Sequence, residues 1–105
     1  MIAPEKYQDL SPKEAIAYQK ELRALINLQE LDKPIRYIAG ADISFNKYEE
    51  TVYAGIVVLT HPDLIVIEEA TAISSTTFPY ISGLLAFREI PALLEAFKKL
   101  KQLPD

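Results

Sequence analysis

The sequence predicts an α+β domain in the order helix, three-stranded antiparallel meander, helix. Three observations predict it: a helix-capping signature near the start, three strand-like apolar runs at hairpin spacing, and a second helical pattern at the end. Half of the 105 residues are hydrophobic and 25% are charged, which is apolar material for one small core under an ordinary polar surface. No repeat, low-complexity tract or linker divides residues 1–105, so a single domain is expected.

Ser11-Pro12-Lys13-Glu14 carries the first helix signal. Ser11 suits the cap, Pro12 the first helical position, and Glu14 completes a capping box. Ala15, Ile16, Leu22, Leu25 and Ile26 recur at helical spacing, which predicts a helix to about Leu28, before Asp32-Lys33-Pro34 breaks it. Strands are expected over about Arg36–Ser44, Thr51–Leu59 and Leu64–Ser74. The connections Asn46-Lys47-Tyr48-Glu49-Glu50 and His61-Pro62-Asp63 are of hairpin length and imply antiparallel pairing. Val52-Tyr53-Ala54-Gly55-Ile56-Val57-Val58-Leu59 is almost continuously apolar, so both faces of the middle strand are expected to be covered. The last helix is expected from about Pro91 to Gln102, with Leu93, Leu94, Phe97 and Leu100 as its buried stripe. Such a meander leaves an apolar strand edge unpaired. It therefore predicts either a homodimer through that edge or a chain that is the front part of something larger.

Composition removes several classes of function. Without cysteine there is neither a disulfide nor a thiolate metal site, as befits a reducing cytoplasm. Met1-Ile2-Ala3-Pro4-Glu5-Lys6 lacks the apolar core of a signal peptide, and no run approaches the roughly 20 apolar residues of a membrane span. A soluble, cytoplasmic protein with no membrane partner is expected. The net charge of −4 argues against a nucleic-acid binder that relies on a basic surface. A metal ion bridging carboxylates to phosphate answers that objection. Lys98, Lys99 and Lys101 form a local positive patch or simply a solvated helix end.

Two segments carry the candidate chemistry. In Ile38-Ala39-Gly40-Ala41-Asp42-Ile43-Ser44, Asp42 stands alone in an apolar strand. It is either a carboxylate bonded to backbone or solvent, or a ligand for Mg²⁺ or Mn²⁺, hard cations that take oxygen donors. Glu89, just ahead of Pro91, is either an acidic residue at a helix start or the second carboxylate of that site. Arg88 faces a phosphate oxygen or makes a surface ion pair. Tyr80, within Pro79-Tyr80-Ile81, is either an aromatic plug under a loop or a wedge for a base stack. His61, the only histidine, reads as a surface turn residue. Neither a nucleophilic serine with a spaced base nor a Gly-rich phosphate loop is present.

These segments, in this order and spacing, resemble the endonuclease V family of DNA repair nucleases. Ile38-Ala39-Gly40-Ala41-Asp42-Ile43-Ser44-Phe45 is similar to the family's first strand. Thr76-Thr77-Phe78-Pro79-Tyr80-Ile81-Ser82-Gly83 is similar to its Pro-Tyr-Ile-Pro-Gly wedge, with Ser82 in place of the second proline. Phe87-Arg88-Glu89-Ile90-Pro91-Ala92-Leu93-Leu94 resembles the segment with its second acidic ligand. The resemblance implies a ribonuclease-H-like fold, incomplete here, with Asp42 and Glu89 as catalytic ligands of Mg²⁺, or of Mn²⁺. It implies hydrolysis at the second phosphodiester bond 3′ to a deaminated base such as deoxyinosine, in DNA, with RNA left open. Pro79, Tyr80, Ile81, Ser82 and Gly83 would fill the gap of the extruded base, Gly83 and Leu85 would line its pocket, and Arg88 would sit near the backbone. The family continues past the Gln102-Leu103-Pro104-Asp105 position into a strand with a further metal-binding aspartate, and then to a histidine. The chain is thus expected to be an amino-terminal portion, inactive alone. The competing expectation is a non-catalytic module that self-associates through its sheet edge.

Overall fold

The computed structural model describes residues Met1–Asp105. A 3₁₀ turn over Pro4–Asp9 precedes helix α1 (Pro12–Arg23). Strands β1 (Tyr37–Phe45), β2 (Thr51–Thr60) and β3 (Val66–Ser75) follow, and helix α2 (Leu85–Lys98) closes the order. The capping box forms as the sequence requires: the Glu14 amide donates to Ser11 Oγ at 3.1 Å, and the Ser11 amide donates to Glu14 Oε1 at 3.1 Å. These bonds hold the Glu14 carboxyl below its ordinary pKa. No helix is long and apolar enough to cross a membrane.

The sheet is the expected meander, ordered β1-β2-β3 and antiparallel throughout. Its register puts Asp42 opposite Gly55, and Gly55 opposite Thr71. One face, bearing Val52, Ala54, Ile56 and Ala72, packs under Ala92 and Ala96 of α2. The other face is open. Tyr53 of β2 is 51% exposed there and its β3 partner Ile73 70%, so the expectation that β2 is covered on both sides is corrected at Tyr53. The first helix does not lie on the sheet. Ala15 and Tyr18 pack instead with Phe78, Leu84 and Phe87, flanked by Tyr7 and Leu22.

Both helices differ from expectation in extent. α1 stops at Arg23, and the next amides turn back in i→i−3 bonds: Ala24 to Glu21, Leu25 to Leu22, Ile26 to Arg23. Leu25, Ile26 and Leu28 meet no surface and stay exposed, so nothing repays continuing the helix to Leu28. α2 begins at Leu85, not Pro91, because Gly83 takes the left-handed conformation (φ 86°) and releases the chain into a helix two residues later. Pro91 is then interior and buried. It leaves the Phe87 carbonyl without its i+4 helical donor, a loss offset by burial of this face of the helix. The buried stripe is rotated from the one expected: Phe87, Arg88, Pro91, Ala92 and Ala96 face inward, Leu93 flanks the core, and Phe97 is 39% exposed. α2 ends at Lys98 instead of running to Gln102, since the Lys101 and Gln102 amides are taken by Glu68.

Candidate functional site

Asp42 lies on the outer strand of the sheet. Tyr37 directs both its amide and its carbonyl at Asp105, away from β2, so alternation points the amides of Ala39, Ala41, Ile43 and Phe45 to the same free edge. The Ile43 amide donates to Asp42 Oδ1 at 2.9 Å, which draws the exposed carboxylate towards that edge. Asp42 is thus backbone-bonded and open to solvent, with its second oxygen free. Gly55, its cross-strand neighbour, leaves a shallow depression beside it, lined also by Gly40, Val57, Glu69 and Thr71.

Glu89 sits in the second turn of α2, half-buried, and not ahead of the helix as expected. Burial pushes its carboxyl above the ordinary value, and the negative charge of Asp42 pushes it further the same way. The two acids are therefore close enough to feel one another, an electrostatic repulsion that a divalent cation relieves. Their oxygen donors suit Mg²⁺ or Mn²⁺. They stand as a pair: nowhere does the chain gather three or more His, Asp or Glu side chains in a metal-holding group.

The turn between β3 and α2 divides its aromatics. Phe78 is fully buried and stacks at a tilt on Phe87, with centroids 5.7 Å apart. Tyr80 projects outward, 42% exposed, and meets the Phe45 ring edge-on at 6.0 Å. The plug and the protruding tip are thus different residues. Pro79, Ser82 and Gly83 are exposed beside Tyr80, Ile81 turns inward against the aromatic cluster, and half-buried Leu85 opens α2 next to Gly83. Three bonds brace the turn: the Phe78 amide to Thr76 Oγ1 at 3.2 Å, the Thr77 amide to Gln8 Oε1 at 3.1 Å, and Gln19 Nε2 to the Gly83 carbonyl at 2.9 Å.

Arg88 makes no surface ion pair, because it is not at the surface. It is 5% exposed. Nη1 donates to the Phe78 carbonyl at 2.7 Å, Nη2 donates to the Glu49 carbonyl, and the guanidinium carbon lies 4.7 Å over the Phe45 ring. Its Nε has no acceptor. An unmet buried donor costs about 1–3 kcal/mol, and the cation–π contact offsets part of that.

Sequence reasoning missed the supporting residues. Lys47 stands over both the Tyr48 ring (5.6 Å) and the Tyr80 ring (5.2 Å), and Tyr48 is 92% exposed at the hairpin tip. The hairpin showed only as a polar connection, and no local signal links it to a turn thirty residues on. The lysine patch is already engaged in part: Lys98 pairs with Glu5 at 2.6 Å and Lys99 donates to the Thr71 carbonyl at 2.7 Å. His61 is exposed in its turn, as expected.

With this geometry in place, comparison with known proteins decides the family. A sequence model of Endonuclease V matches residues 20–105. The chain belongs to the endonuclease V family. It is 43% identical over 97 residues to the Endonuclease V of Trichormus variabilis, covering 91% of this chain and 44% of that relative. To the Nostoc punctiforme enzyme it is 45% identical over 93 residues, covering 88% and 42% respectively. The chain thus spans less than half the length of these relatives. Among solved structures, the Endonuclease V of Streptomyces avermitilis superposes with a TM-score of 0.80 at 41% identity, covering 90% of this chain and 42% of that one. The Bacillus subtilis protein gives 0.82 at 31%, covering 99% and 46%. The Ciona intestinalis Endonuclease V, solved with a 24mer DNA containing an inosine followed by a ribo-adenosine, gives 0.71 at 32%, covering 85% and 39%. The helix, meander and helix described above are accordingly part of a ribonuclease-H-like fold.

Proposed function

We propose that this chain carries the wedge and two metal-binding carboxylates of a cytoplasmic DNA repair endonuclease, which hydrolyses a phosphodiester 3′ to a deaminated base such as deoxyinosine. The observation that supports it most is the placing of Glu89: half-buried in the second turn of the helix that follows the Tyr80 turn, its carboxyl is raised by burial first and by the charge of Asp42 second. Asp42 and Glu89 would hold Mg²⁺, or Mn²⁺. When bound, such an ion supplies Lewis-acid polarisation of a phosphate oxygen and offsets the repulsion between phosphate and an acidic protein. Tyr80, flanked by Pro79 and Ser82, would occupy the space an extruded base leaves, since its ring is exposed on a turn that is braced from beneath. The likeness to a Ciona protein solved with inosine-containing DNA supports this choice of substrate.

The test is metal binding by the purified 105 residues, followed by calorimetry or Mn²⁺ spin resonance. Asp42→Ala and Glu89→Ala should each weaken binding by about tenfold or more. Wild-type affinity in both variants would end the reading. Since these residues offer only a pair of carboxylates, they alone should cut inosine-containing DNA little or not at all. Robust cleavage that Asp42→Ala abolishes would overturn that expectation.

A second reading, self-association through the sheet, is favoured by the open face that exposes Tyr53 and Ile73 and by the unpaired outer edge of β1. Sedimentation decides it: a clean monomer at micromolar concentration counts against edge pairing.

A further inference from the structure

We infer that Arg88 is a positioning residue: its buried guanidinium clips the Tyr80-bearing turn to the β1–β2 hairpin and so fixes where Tyr80 stands relative to Glu89. The consequence rests on the wedge-and-carboxylate reading above. The clip itself is a property of the folded chain.

Arg88 and Glu89 are consecutive on α2, so their side chains leave the helix about 100° apart. Arg88 points inward beneath the turn, and half-buried Glu89 leaves the helix on a different side. A single guanidinium then joins three segments: it donates to the carbonyl of Phe78 at the root of the turn, donates to the carbonyl of Glu49 in the hairpin, and stacks on Phe45 of β1. Phe45 in turn meets Tyr80 edge-on, which closes a loop of contacts from α2 through β1 to the exposed tip. At 5% exposure, Arg88 turns both terminal nitrogens to backbone carbonyls and is closed off from solvent. Only a planar fork fits this role. A lysine ammonium cannot bridge two carbonyls and stack on a ring at once. The offset between the base-filling tip and the ion-binding carboxylate is therefore rigid. In a nuclease, that offset sets which phosphodiester is presented for cleavage.

Amide hydrogen exchange on the 105-residue chain tests the clip without nucleic acid or metal. The amides of Glu49, Thr76, Phe78 and Leu84 each donate a hydrogen bond, so their protection reports the hairpin and the turn. In Arg88→Lys and Arg88→Met, exchange at these amides should speed up together by about tenfold or more, while the β2 amides from Val52 to Val58 keep their protection. Phe45→Leu, which leaves every charge in place, should loosen the same amides to a smaller degree. Wild-type protection in Arg88→Lys would overturn the proposal, and so would acceleration spread evenly over β2. Should Arg88→Met fail to fold, Phe45→Leu decides alone, and unchanged exchange there overturns it. Failure of the wild-type chain to bind metal would instead sink the functional reading and leave the exchange result standing.

Discussion

Under α2 the packing is made of small side chains, Ala54 and Ala72 of the sheet against Ala92 and Ala96 of the helix, with Val52 and Ile56 between them. Under the Tyr80 turn it is aromatic, with Tyr7, Tyr18, Phe78 and Phe87 meeting at centroid distances of 5.4–5.8 Å. The difference follows from what each region must hold. A helix on a sheet gains most when both surfaces are shallow, because the backbones then approach closely. A turn without regular hydrogen bonding has few backbone contacts to fix it, so a large buried ring does that work.

The aromatic side of this comparison carries the largest expected effect. Phe78→Ala should destabilise the chain by about 3–5 kcal/mol, since a fully buried ring leaves a cavity that its braced neighbours cannot fill. Urea denaturation measures it. A loss below about 1 kcal/mol would mean that the turn collapses freely and that the aromatic cluster is not its anchor.

The small-residue side should resist enlargement rather than truncation. Ala96→Leu adds bulk where the side chain is fully buried, and about 1–3 kcal/mol should be lost as the helix is forced off the sheet. The same denaturation assay applies, and a neutral or stabilising outcome would show that close approach is not what the alanines provide.

The two regions were not equally legible in the sequence. The meander was, because turn-bounded strands announce themselves locally, and its boundaries lie within about two residues of those expected. Ser11 and Glu14 were equally plain, since a capping box needs only residues three apart. The helix limits were not. The helical apolar spacing through Leu25 and Ile26 has no partner surface to reward it, and Pro91 looks like a first-turn residue until burial of Phe87 and Arg88 extends the helix back to Leu85. Nor could the sequence tell Phe78 from Tyr80 as the plug, because that depends on where the 3₁₀ turn and α1 place Tyr7 and Tyr18. Arg88 was read as a surface cation because its acceptors are carbonyls 10 and 39 residues away. A contact of that kind leaves no trace in residue type or spacing.

The far end of α2 offers the smallest effect and the sharpest contrast with the clip at its start. There the chain is tied by a surface carboxylate: Glu68 accepts from the Lys101 amide at 2.8 Å and from the Gln102 amide at 2.8 Å. These backbone bonds, Gln102 first, hold the Glu68 carboxyl below its ordinary value of 4.5. A carboxylate whose folded pKa is depressed contributes stability that is present above 4.5 and lost as pH falls through the folded value. Glu68→Gln keeps the shape and one acceptor but removes the charge. Its denaturation midpoint should therefore fall below wild type at pH 7, and the two should converge in acid, where Glu68 is itself neutral. The clip at the other end bonds to backbone carbonyls, which carry no charge, so Arg88→Lys should show a stability deficit that persists into acid. If the Glu68→Gln gap persisted as well, the carboxylate would owe its effect to packing, and the two ends of α2 would be held by the same means.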